Sequence, residues 1–166
     1  MNPLALKPRT AFILCAISCA TLLAYAFYEQ FAMAIEPCPL CILQRLGFMG
    51  LLVVSVVAAF HDPATTGRRV YGLLAILLAG WGVSVAARHV WIQHFPPPTS
   101  GCGAPLSYLL DTLPLTEALR RAFTGSGDCA EVNWTFLSLS MPEWTLGIYV
   151  VMLAAAYWYG FRRRGG

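Results

Sequence analysis

Charge is what this chain has least of. Acidic and basic residues make up 11% of it, with one lysine, ten arginines and eight Asp/Glu. Soluble domains carry roughly 25% charged residues. A chain of 166 residues folded round one core would still leave roughly 30% of its surface in water. At 58% apolar residues, too little polar surface remains to cover that exterior, which excludes an ordinary soluble enzyme. The few basic side chains, beside six cysteines, exclude a nucleic-acid binder and a charged disordered tail. No internal repeat and no low-complexity linker divides the chain, so it reads as a single domain over residues 1–166.

What is present is four apolar runs, Ala11–Tyr28, Ile42–Phe60, Val70–Ala87 and Thr145–Phe161, free of charge but for Arg45 in the first turn of the second. At 17 to 19 residues each, they are long enough to cross about 30 Å of hydrocarbon at about 1.5 Å per residue. The expected fold is an all-α membrane protein, a bundle of four transmembrane helices. Basic residues orient it. Lys7, Arg9, Arg68, Arg69 and Arg162 to Arg164, seven of the eleven Lys/Arg, fall on one side. That bias predicts both termini in the cytoplasm, with a short outer loop over 29–41 and a long one over 88–144. Lys7 and Arg9, the first apolar run and Ala24-Tyr25-Ala26 also resemble a signal peptide with its cleavage site, whose removal would leave three spans. In the long loop, Leu115, Ala118, Leu119, Ala122 and Phe123 recur at helical spacing opposite Glu117, Arg120 and Arg121. This predicts a short amphipathic helix, lying on the membrane surface or packed on the rest of the loop.

The cysteines divide by position. Cys15 and Cys19 lie one turn apart inside the first run and read as small packing residues. Cys38, Cys41, Cys102 and Cys129 all fall on the outer side, where disulfides persist if the compartment is oxidising. In Pro37-Cys38-Pro39-Leu40-Cys41 the second proline suits a first helical position. Cys38 then becomes the N-cap, and both sulfurs face the positive end of a helix dipole, which favours thiolate. Gln44 and Arg45 follow one turn on; Arg45 is placed to hold a thiolate, a ligand carbonyl or a lipid headgroup. Cys102 and Cys129 are flanked by Gly101, Gly103 and Pro105 and by Gly125, Ser126 and Gly127, turn formers that leave sulfurs open to exchange. A stapling disulfide there is the structural alternative. Four outer cysteines allow three pairings. Zinc ligation by these cysteines is disfavoured by oxidising surroundings and by their uneven separations, so no metal is expected.

Cys38-Pro-Leu-Cys41 with Gln44-Arg45, His89 and Gln93 ahead of a proline-rich approach to Cys102, Ser126-Gly-Asp-Cys129-Ala-Glu131, Trp134 and Met141-Pro-Glu-Trp144 occur in that order across nearly the whole chain. In this the chain resembles the DsbB disulfide-bond formation proteins of the bacterial inner membrane. The resemblance implies a protein-disulfide:quinone oxidoreductase that reoxidises a DsbA-like periplasmic thiol oxidase and hands the electrons to ubiquinone or menaquinone in the bilayer. It further implies that Cys102 takes the DsbA thiolate, and that Cys129 relays to the Cys38–Cys41 pair through a Cys38–Cys129 bridge. Cys41 would face the quinone, with Arg45, Gln44 and His89 about it; by its position alone, His89 could equally be solvated at the end of its span.

Energetics agree with a quinone acceptor. DsbA has a potential of about −120 mV, above ordinary protein disulfides, and for two electrons each 30 mV is worth about 1.4 kcal/mol. Two other readings exist: a vitamin-K-epoxide-reductase-like enzyme, whose CxxC would fall at a later span, and a tetraspan scaffold with purely structural disulfides.

Overall fold

The computed structural model describes residues 7–34, 37–96, 106–125, 129–130, 132 and 135–162. Among these, four helices are long and apolar enough to cross a membrane, as expected. They are α1 (Pro8–Ala32), α2 (Pro39–His61), α3 (Thr65–His94) and α6 (Met141–Tyr157), the last prolonged by a π-helical turn over Trp158–Arg162. Two short helices, α4 (Leu106–Thr112) and α5 (Leu115–Thr124), lie between α3 and α6, followed by the strands β1 (Thr135–Phe136) and β2 (Leu139–Ser140).

Local chemistry sets the helix ends. Cys38 is the N-cap of α2, its sulfur accepting the Cys41 N–H at 3.4 Å, with Pro39 next. At the far end Asp62 adopts a left-handed conformation (φ 40°) and returns its N–H to the Ala58 carbonyl, which stops the helix. Two left-handed residues, Leu137 and Ser138, turn β1 back onto β2. Ser140 and Glu143 then cap each other's backbone at the start of α6.

The helices outrun the apolar stretches, most of all in α3. The expected outer loop from Arg88 is helical as far as His94. Val85, Ala86, His89 and Ile92 continue one buried face, so packing, not hydropathy, decides where this helix ends. α5 takes the predicted amphipathic form, and its inner face packs on the cysteine end of the bundle. Ala118 and Ala122 are buried, Ala122 joining Leu40, Leu43, Val85 and Ile92 in the core at the cysteine end. Leu115 and Leu119 remain exposed on its outer side.

Packing runs α1 on α2, α2 on α3 and α3 on α6. Cys19 is fully buried in that core with Leu23, Phe48, Leu51 and Ala79, and Cys15 packs beside it, in keeping with a packing role. Tyr149 is the central wedge. It is fully buried and stacked on Phe48 at 4.2 Å, and its hydroxyl donates to the Gln44 carbonyl at 2.6 Å. Gly47 and Gly82 make room for it; a β-carbon on Gly82 would stand 2.1 Å from the Tyr149 ring. Gly82→Ala should therefore lower stability by about 1–3 kcal/mol through overpacking. Gly80→Ala, where a β-carbon meets nothing within 4 Å, should not. Thermal melts of the two variants in detergent check this.

α1 and α6 scarcely touch. Between them runs an apolar cleft of about 930 Å³, from Ala11 and Phe12 at one end to Glu143 and Trp144 at the other.

Candidate redox site at the N-terminus of α2

The end of the bundle that carries Cys38 is assembled from all four long helices. α2 supplies Cys41, Gln44 and Arg45 in its first two turns. α3 supplies His89 on the stretch that hydropathy alone assigned to a loop. His89 and Gln44 are buried, 3% and 6% exposed, with Gln44 Nε2 3.4 Å from His89 Nδ1. His89 Nε2 lies 3.9 Å from Cys38 Sγ, and the ring also meets the backbone of Cys129. A solvated His89 is thereby corrected: the α3 face that carries Val85 and Ile92 carries it inward too.

Sequence places the four outer cysteines in two loops, and the structure brings three of them together. Cys38 Sγ donates to Cys41 Sγ at 3.1 Å. The sulfurs of Cys38 and Cys129 and a ring nitrogen of His89 lie within 4.8 Å of one another. Cys129 is 1% exposed, walled in by Leu40, Leu43 and Ile92. None of the described cysteines is in a disulfide. Cys102 lies outside the described residues, as do Ser126–Asp128, Glu131 and Trp134 of the motif.

The expectation that the helix dipole favours thiolate at both sulfurs fails for Cys38. Hydrogen bonding to Cys129, then to Cys41, then burial, pushes its thiol well above the ordinary range. A proton shared among close sulfurs is held tightly, and dry surroundings disfavour the anion. Cys41 accepts that proton's hydrogen bond.

Arg45 is turned toward α1, not out to lipid. Its guanidinium donates to the Gln30 side chain and, at 3.0 Å, to the Ala26 carbonyl, and stands 5.6 Å from the centre of the Phe27 ring. These contacts fix a cation against the negative C-terminal end of α1. Gln30 and Tyr149 escaped the sequence reading. Gln30 is a polar residue at the close of an apolar run, the one local signal available; Tyr149 lies within an apolar run and gave none.

Cys38, Cys41, Gln44, Arg45 and His89 share the wall of a pocket of about 280 Å³ roofed by Met141, Pro142 and Trp144. That volume is near the lower end, about 300 Å³, of small-molecule sites. Gln93 helps hold the roof, accepting from the Ser140 hydroxyl at 2.7 Å. The pocket and the α1–α6 cleft have Leu22, Trp144 and Ile148 in common, so they adjoin across those side chains. His61 and His94 are exposed and take no part.

Sulfurs in exchange distance at one end of a four-helix membrane bundle define a membrane protein built for thiol–disulfide chemistry. The chain belongs to the DsbB family, described as "Disulfide bond formation protein DsbB", whose profile matches residues 8–159. Curated relatives carry the name "Disulfide bond formation protein B". That of Xanthomonas axonopodis pv. citri (strain 306) is 46% identical over 166 residues, covering 99% of this chain and 96% of the relative. That of Marinobacter nauticus (strain ATCC 700491 / DSM 11845 / VT8) is 47% identical, covering 93% of each. That of Methylococcus capsulatus (strain ATCC 33009 / NCIMB 11132 / Bath) is 48% identical, covering 83% of this chain and 85% of the relative.

Proposed function

We propose that this protein is a protein-disulfide:quinone oxidoreductase of the bacterial inner membrane. It reoxidises a DsbA-type periplasmic dithiol and passes the two electrons to ubiquinone or menaquinone. Both termini are cytoplasmic, and the Cys38 end faces the periplasm. One observation carries the reading: Cys38, Cys41 and a pinned cation line a small pocket that adjoins an apolar cleft between α1 and α6. A lipid-soluble ring with a long apolar tail suits such linings, and Cys41 and Arg45 are the residues that would hold the ring.

The chemistry divides among the residues. In the oxidised protein, with Cys102–Cys129 and Cys38–Cys41 as disulfides, a partner thiolate attacks Cys102, breaks the Cys102–Cys129 bond and forms a mixed disulfide; the partner's second thiol resolves it, leaving the partner oxidised and Cys102 and Cys129 as thiols. Cys129 attacks Cys38, the sulfur beside it, and breaks the Cys38–Cys41 bond; Cys102 then displaces Cys38 from Cys129, so the Cys102–Cys129 bond re-forms. The pair Cys38–Cys41 thereby holds the two electrons as a dithiol next to the pocket. A bound quinone supplies an acceptor for two electrons and two protons at a potential above the dithiol's. Arg45 would offer fixed positive charge to an acceptor oxygen held in the pocket.

In detergent, the purified protein given reduced DsbA and ubiquinone should oxidise the dithiol with stoichiometric loss of quinone. No oxidation with an active partner and quinone would leave the structural scaffold as the reading.

A further inference from the structure

Cys38, Cys129 and His89 come from three separate parts of the chain. They point one ligand atom each into a common space, all within 4.8 Å. In tetrahedral zinc sites, bonds of about 2.3 Å to sulfur and about 2.0 Å to nitrogen set ligand atoms about 3.5–3.8 Å apart. The 3.9 Å between Cys38 Sγ and His89 Nε2 is nearly that spacing already. The set is two cysteines and one histidine, a donor combination suited to a borderline-soft divalent ion with a fourth position open. A support for the ring is also present. Gln44 is buried and 3.4 Å from His89 Nδ1. With its amide turned so that Oε1 accepts from Nδ1–H, it would hold Nε2 free to ligate, as outer partners of metal-bound histidines do. Cys129 and His89 are almost wholly buried while Cys38 is half-buried, so an ion would enter past Cys38.

We propose that the reduced form of this site traps one zinc-class divalent ion through Cys38, Cys129 and His89, and that oxidation of the two sulfurs releases it. Binding needs no redox partner: two thiols each lose a proton, two metal–sulfur bonds form, and two protons leave to water. As regulation the trap rests on the proposed function, because turnover with a substrate dithiol is what makes these thiols free. An ion held there occupies Cys38, which must close the Cys38–Cys41 disulfide as the quinone takes the electrons, and with it Cys129, so it stops the cycle with the protein reduced. Oxidised protein, with those sulfurs covalently paired, presents no thiolate ligands and escapes. Uneven spacing along the chain, which argued against zinc, does not matter once the fold brings the ligands together; the oxidising surroundings restrict the site to the reduced state.

Cobalt(II) is the probe, added to the full-length protein in detergent after reduction with a phosphine. One equivalent should bind, with thiolate-to-cobalt charge-transfer absorption and the visible bands of a tetrahedral ion, and zinc should displace it. Protein oxidised beforehand should show neither band. His89→Ala and Cys129→Ser should each weaken cobalt binding by at least about tenfold, as should Gln44→Leu through the ring it supports. Cys15→Ser, Cys41→Ser and Cys102→Ser should keep the bands. Loss of the bands in Cys41→Ser or Cys102→Ser, with retention in His89→Ala, would mean a different ligand set and overturn the proposal. A preparation that turns over DsbA and quinone yet gives no charge-transfer band would overturn the metal site alone. Bands without turnover would instead overturn the oxidoreductase reading and leave the site standing.

Discussion

Cys41→Ser should reduce quinone-linked oxidation of the partner dithiol by at least about a hundredfold, about 2.7 kcal/mol in the barrier. The reason is positional. Cys41 shares the pocket wall with Arg45 and accepts the hydrogen bond of Cys38. Cys38 also reaches the pocket wall but is the sulfur assigned to exchange with Cys129; Cys129 is buried, and Cys15 and Cys19 pack in another part of the core. The first exchange should survive, since it is assigned to Cys102. Trapping the mixed disulfide with the partner, visible on a non-reducing gel, separates the two steps. Full turnover in Cys41→Ser would remove the basis for the electron route.

Arg45→Leu should raise the apparent KM for quinone by at least about tenfold, equivalent to about 1.4 kcal/mol, and leave exchange with the partner unchanged. A cation at the end of a membrane span is costly unless it is paired or functional. Here it is hydrogen-bonded to a neutral amide and a carbonyl and stands over an aromatic ring, contacts that hold its positive charge beside the pocket. The same contacts clamp α1 to α2, and a folding role would look different. It would depress exchange and quinone reduction together and lower the melting temperature. Arg45→Lys distinguishes the two further. It keeps the charge but cannot bridge Gln30 and Ala26 with a planar fork, so quinone affinity should fall between wild type and Arg45→Leu.

Much of the fold was legible because each of its signals is local. A run of apolar side chains satisfies its own backbone as a helix and cannot do so otherwise in hydrocarbon. Cys38 caps α2 because a proline follows it, and α5 declares its inner face through the spacing of Ala118 and Ala122. The candidate site was legible as a set of residue types, with cysteines in two outer segments and an arginine and a histidine near span ends. What escaped was relational. Arg45 had three possible partners by sequence and chose the end of α1. His89 had the hydropathy of a solvated residue, yet the helix continues through it because Val85 and Ile92 on its face are buried.

The sequence by itself determined four membrane helices, which cysteines lie inside them and which beyond them, and a CxxC pair at a helix start. Hydropathy and capping act over a few residues and are read directly. Only the tertiary structure decided that Cys129 meets Cys38, that His89 and Gln44 stand behind them, and that α1 and α6 part to leave a cleft. Those outcomes depend on which helix faces fit together. Tyr149 seated against Gly47 and Gly82 sets how α6 lies on α2 and α3, and complementarity of shape between segments far apart in the chain leaves no local pattern to read.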